Sequence, residues 1–101
     1  MDIAEAQKLA WANKLAKGFN TTDIPMEFGL LNAELGEAFT AWRKGLPDAG
    51  EELADVFLYL AAIAQMQGVD LSEEVARKIM KNEQREYSAG ANGTLVRTSS
   101  D

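Results

Sequence analysis

Three glycines do most to limit what this chain can become. Gly18, Gly45 and Gly68 each follow a run in which apolar residues recur at three- and four-residue spacing, so each stands where a left-handed residue closes an α-helix. Pro25 opens the second run, at a position where a missing N–H costs nothing. "DAGE" at 48–51 and "DLSE" at 70–73 each set an aspartate three residues ahead of a glutamate, the spacing with which a helix start satisfies its free amides. The pattern predicts an all-α chain, a four-helix bundle with helices over residues 2–17, 25–44, 48–67 and 70–87, and no strand. From residue 88 the text becomes "SAGANGTLVRTSSD", small, polar and rich in turn residues. It reads as a flexible tail, or an arm that orders only against a partner, so the helical domain is set at 1–87 and the tail at 88–101.

The third run contains "VFLYLAAIA" at 56–64, apolar nearly all round. Such a helix must be covered on every side. Three neighbours from one chain do not easily provide that cover, so part of this helix is expected in a subunit interface. A two-fold homodimer, or a homotetramer built from two, is the economical arrangement; a central helix covered within one chain is the alternative.

Composition removes whole classes of chemistry. Cysteine and histidine are both absent, which excludes thiolate and imidazole metal sites and the Ser-His-Asp and Cys-His hydrolases. Any metal must be held by oxygen. A net charge of −6 and a pI near 4.6 speak against a nucleic-acid duplex or an anionic membrane as partner. The start "MDIAEAQKLA" has no apolar export segment, and residues 56–64 are too few to span a bilayer. A cytoplasmic location is expected, and the sequons at Asn20 and Asn92 are then chance matches.

Against that background four acids stand out. "NAELGEAF" at 32–39 and "EELADVF" at 51–57 carry Glu34 with Glu37 and Glu52 with Asp55, each pair three residues apart in an apolar run. A surface acid on a helix commonly has Lys or Arg three or four residues away, as Glu73 has Arg77 and Glu74 has Lys78. Glu34, Glu37, Glu52 and Asp55 have only apolar, neutral or acidic residues at those positions. On a helical wheel Glu34 and Glu37 fall with Leu30 and Ala41 at the edge of a stripe of Leu31, Leu35 and Trp42. Glu52 and Asp55 fall beside Val56 and Ile63. The short "GLP" loop at 45–47 makes the second and third helices antiparallel neighbours. At about 1.5 Å per residue, Glu37 and Asp55 then lie at one level roughly 10 Å from the turn, and all four acids can converge.

Four half-buried carboxylates cannot all stay ionised without positive charge. A hard divalent cation supplies it: Mg²⁺, Mn²⁺ or Ca²⁺ suit an all-oxygen site, and Mg²⁺ also draws phosphate oxygens. Gly36, inside the second helix, suggests either a close helix crossing or room for a ligand. In "RKIMKNEQREY" at 77–87, Lys78, Lys81, Asn82 and Arg85 share one face, opposite Val75, Ala76, Ile79 and Met80 on the core side. That face is either an ordinary solvated one or a phosphate clamp.

"ELGE" at 34–37, "ELAD" at 52–55 and "KIMKNEQR" at 78–85 together resemble the MazG-like nucleoside triphosphate pyrophosphohydrolases of the all-α NTP-pyrophosphatase superfamily. The resemblance spans residues 3–87. It implies a dimeric or tetrameric helical bundle that uses Mg²⁺, with Mn²⁺ as a substitute, to cleave nucleoside triphosphates into monophosphate and pyrophosphate. By the same resemblance Glu34, Glu37, Glu52 and Asp55 are metal ligands, and Lys78, Asn82 and Arg85 meet phosphate or sugar. Glu37 or Glu34 would activate the water. Trp11 and Trp42 are either core residues or the walls of a base pocket. There is no phosphate-binding Gly-rich loop of the Walker type. Phosphoribosyl-ATP pyrophosphatase has a similar acid pattern, and a non-catalytic, metal-dependent nucleotide-binding helical module would carry the same carboxylates.

Overall fold

A computed structural model describes residues 1–99. Four helices follow one another: α1 (Ile3–Lys17), α2 (Ile24–Arg43), α3 (Ala49–Met66) and α4 (Leu71–Gln84). The three glycines do what their positions predict. Gly18, Gly45 and Gly68 have φ of 70°, 66° and 69°, a conformation that only glycine adopts without strain. After each, the next amide reaches back to close the helix: Phe19 N to Lys14 O at 3.0 Å, Leu46 N to Ala41 O at 2.9 Å, Val69 N to Ala64 O at 2.9 Å.

The helix starts are only partly as expected. Asp2 and Asp23 cap α1 and α2 with their carboxylates, accepting from Glu5 N at 2.8 Å and Met26 N at 3.1 Å. Asp48, expected to cap α3, has φ −95° and ψ 12° and makes no capping hydrogen bond with its side chain. The backbone is already turned towards helix there, which takes the carboxylate away from the amides it would serve. The fourth helix ends at Gln84, not at 87.

The chain divides into two compact units, residues 1–71 and those from Ser72 onward. In the first, α3 packs against both α1 and α2, and the centre is built from small side chains: Ala38, Ala41, Ala61, Ala62 and Ala64 are buried around Ile63. Gln7 ties α1 to the end of α3, its amide donating to Gln65 Oε1 at 3.0 Å and Val69 O at 2.8 Å and accepting from Leu71 N at 3.1 Å. The inward stripe of α2 is Ile24, Glu27, Leu31, Glu34, Ala38 and Ala41. It is not the predicted stripe, because Leu35 and Trp42 are exposed, Trp42 at 73%. The alanines allow the close approach, and Glu34 therefore lies inside the stripe, not at its edge, while Glu37 stays exposed. Along α3, Ala61–Ala64 are buried while Leu53, Leu58 and Leu60 stay open to solvent.

In the second unit no residue of α4 is buried, and Ile79 and Met80, read as core-facing, are exposed. The stretch read as tail or arm contains an antiparallel hairpin, β1 (Tyr87–Ala89) with β2 (Leu95–Arg97), in register Tyr87 to Arg97. Asn92-Gly93 turns it, with Gly93 at φ 84°. Three residues per strand are too few to show alternation in a sequence.

Candidate metal centre

Glu34 and Glu37 project from neighbouring turns of α2 and Glu52 from the first turn of α3. One carboxylate oxygen from each lies within 4.8 Å of the other two. Glu34 and Glu52 are half-buried and Glu37 is exposed. Asp55, one methylene shorter, does not join this group, yet its charge acts on both Glu34 and Glu52. The sequence-predicted convergence is thus a tight trio with Asp55 beside it.

The trio carries strained electrostatics. Burial pushes the Glu34 carboxyl above the ordinary glutamate value of 4.5, and Glu37 adds repulsion and a hydrogen bond that favours a shared proton. Glu52 is raised likewise, first by burial and then by Glu37, Asp48, Asp55 and Glu51. Tyr59, one turn beyond Asp55, has its phenol raised by burial and by Glu34, Glu27, Asp55 and Glu37. Among the described residues no lysine or arginine forms a salt bridge to any of the four acids. Glu52 Oε2 is buried without a hydrogen-bond partner. A buried carboxylate oxygen without a donor, beside two more carboxylates, is a donor set suited to a hard divalent cation. A Cβ at Gly36 would meet nothing within 4 Å, so this glycine marks open space, not a close crossing.

Beside the acids, α1, α2 and α3 enclose a cleft of about 670 Å³. Asp55 and Tyr59 line it together with Leu30, Leu58 and Phe19. In its wall lies a buried ion pair that sequence reasoning missed: Lys14 Nζ of α1 bonds to Glu27 Oε1 of α2. The Glu27 side chain is fully buried, that of Lys14 is 9% exposed, and Glu27 Oε2 has no partner. The Lys14 ammonium stands 5.9 Å from the ring centres of both Phe19 and Tyr59. Glu27 falls seven residues before Glu34 on the same helical face, the one signal that could have flagged it.

Trp11 is half-buried, and Trp42 is exposed with Phe39 6.0 Å away; neither lines this cleft. Lys78, Asn82 and Arg85 belong to the second unit, where Arg85 Nη1 donates to Asn82 Oδ1 at 3.1 Å. No helix of the described residues is long and apolar enough to cross a membrane.

No protein-family model matches the chain. A dATP/dGTP diphosphohydrolase of Salmonella phage PMBT28 is 38% identical over 94 residues, covering 91% of this chain and 30% of that protein. The chain therefore spans less than a third of the curated relative it matches. Among solved structures, the MazG-like pyrophosphohydrolase of cyanophage S-2L superposes with a TM-score of 0.76 at 22% identity, over 100% of this chain and 97% of that one. That protein was solved with dGDP and three catalytic Mn²⁺ ions per active site.

Proposed function

We propose that this chain, MazG-like in fold and in motif, hydrolyses nucleoside triphosphates to nucleoside monophosphate and pyrophosphate with Mg²⁺ or Mn²⁺ as cofactor, and that purine deoxynucleotides are among its substrates. The observation that carries the reading is the trio of carboxylates within 4.8 Å on α2 and α3, one of whose buried oxygens has no partner. The names of the phage relative and the cyanophage neighbour support the substrate class.

In this reading Glu34, Glu37, Glu52 and Asp55 hold the metal. A divalent cation held there would offset the triphosphate charge and lower the pKa of a water at the site. Glu34 or Glu37 takes the proton of the attacking water. The water oxygen bonds to phosphorus, the P–O bond of the α–β bridge breaks, and pyrophosphate leaves. Both Glu34 and Glu37 present a carboxylate oxygen at the centre, and the one not fully committed to the metal is placed to accept that proton. Lys78, Asn82 and Arg85 bind phosphate or sugar by resemblance of their motif, whereas Trp11 and Trp42 do not line the cleft beside the acids, so a base held there does not stack on them. The exposed Leu53 and Leu60 of α3, seven residues apart on one face, are covered by a second copy of the chain, in a homodimer or homotetramer.

The test is chromatography of a nucleotide panel incubated with the protein and Mg²⁺, beside Glu37→Gln. Monophosphate and pyrophosphate should form in equal amounts. The variant should be slower by about 100-fold or more, the usual scale for a lost general base or its support. Triphosphates left intact across the panel would overturn the proposal.

A further inference from the structure

We infer that Lys14, held by Glu27, is a specificity-determining residue that selects 6-oxopurine nucleotides, guanine before adenine, by donating to the base edge in the cleft beside the acids. The inference rests on the nucleotide reading above and deepens it.

An ammonium on a side chain that is only 9% exposed, in a wall made largely of apolar side chains, is costly unless it is partnered. Its one ionic partner, Glu27 Oε1, takes one of three N–H donors. Phe19 and Tyr59 present their rings to it at 5.9 Å from each centre. Glu27, whose side chain is 0% exposed, fixes where the ammonium stands. The cleft is therefore a mainly apolar space in which Lys14 is an ammonium anchored by an ion pair, with the amides of Asn13 and Asn20 also in the lining, and it shares Asp55 and Tyr59 with the acidic centre.

A nucleotide whose phosphates lie at the acids has only its sugar and base to place in that cleft. The bases differ in what they show a donor. Guanine and hypoxanthine present two adjacent acceptors, O6 and N7, and lysine pairs with this edge. Adenine places an amino group beside N7, so one of the two acceptors becomes a donor facing an ammonium. The cation therefore favours the 6-oxopurine. One well-placed contact of this kind discriminates about five- to 150-fold.

The test measures binding of dGDP and dADP in the presence of Mn²⁺ by titration calorimetry, alongside kcat/KM for dGTP, dATP, dITP and 7-deaza-dGTP. Identical phosphates make each ratio report on the base. The wild-type protein should prefer guanine at least about fivefold in binding. It should treat dITP like dGTP, because O6 and N7 are retained, and should lose preference for 7-deaza-dGTP. In the double variant Lys14→Met/Glu27→Leu, which leaves no unpaired charge, the guanine-to-adenine ratio should fall to about one. A wild-type ratio at or below one, a loss of preference on removing only the 2-amino group, or an unchanged ratio in the double variant would each overturn the assignment. Binding preference without turnover of any triphosphate would overturn the proposed hydrolysis and leave this assignment standing; turnover without preference would do the reverse.

Discussion

Removing Lys14 alone should cost the fold more than removing Glu27 alone, and removing both should cost little. The reason is the unequal burial of the two side chains, 9% exposed for Lys14 and 0% for Glu27. Lys14→Met leaves a carboxylate with no access to water and with Oε2 already lacking a partner. It also forfeits ammonium contacts with two aromatic rings at 5.9 Å, about 0.5–1 kcal/mol each. Loss of one member of a buried pair costs about 3–5 kcal/mol, and this variant belongs at the upper end. Glu27→Leu leaves an ammonium that keeps both rings and borders an open cleft, so the unsatisfied-donor scale of about 1–3 kcal/mol applies. The double variant replaces the pair by apolar volume and should lie within about 1 kcal/mol of the wild type. Urea unfolding of the four proteins measures this, and the singles should sum to at least about 3 kcal/mol more than the double. If Lys14→Met costs under about 1 kcal/mol, or the singles simply add, the ion pair does not hold α1 to α2 as described.

Stability of the metal-free protein should fall as pH rises. The carboxyls of Glu34 and Glu52 are raised in the folded state above the ordinary 4.5, so the folded chain binds protons more tightly than the unfolded one. Their contribution is complete below about 4.5 and is lost as pH climbs through the raised folded values; thermal melts in EDTA between pH 4 and 8 should show it, and saturating Mg²⁺ should flatten the slope. Sedimentation should give a mass of two or four chains, shifted to one chain by Leu53→Lys/Leu60→Lys, which puts charges on the exposed side of α3. An unchanged mass would move the interface elsewhere.

How much was legible follows from the range of each interaction. The glycine stops were readable because a left-handed helix end is a local need that one residue type meets, and all three sit where the sequence places them. The acid pairs were readable because their lack of nearby cations is also local, and the MazG-like resemblance drawn from them is borne out by the cyanophage fold and the phage relative. The Lys14–Glu27 pair was not, since its partners lie thirteen residues apart on different helices and each alone reads as an ordinary surface charge. The inward face of α2 was misplaced for a related reason. Hydrophobicity ranks Leu35 and Trp42 above Ala38 and Ala41, but helices that approach closely bury the small residues and leave the large ones outside.

That inward face carries two carboxylates, Glu27 and Glu34, and the chain treats them in opposite ways. Glu27 is matched by a cation from its own sequence, Lys14, while Glu34 is set among further acids and waits for a cation from solution. If that contrast is the design of the site, an internal cation should replace the metal as a structural element while abolishing its chemistry. Glu37→Lys places an ammonium where the exposed member of the trio now stands, within reach of Glu34 and Glu52, and removes the strongest repulsion acting on both. The metal-free variant should melt higher than the metal-free wild type, lose the fall in stability with rising pH, gain nothing from Mg²⁺ or Mn²⁺, and turn over no nucleotide. A variant that melts lower without metal, or that Mg²⁺ still stabilises, would mean that the acids are held apart by something other than the charge they share, and the case for a metal at the trio would fail with it.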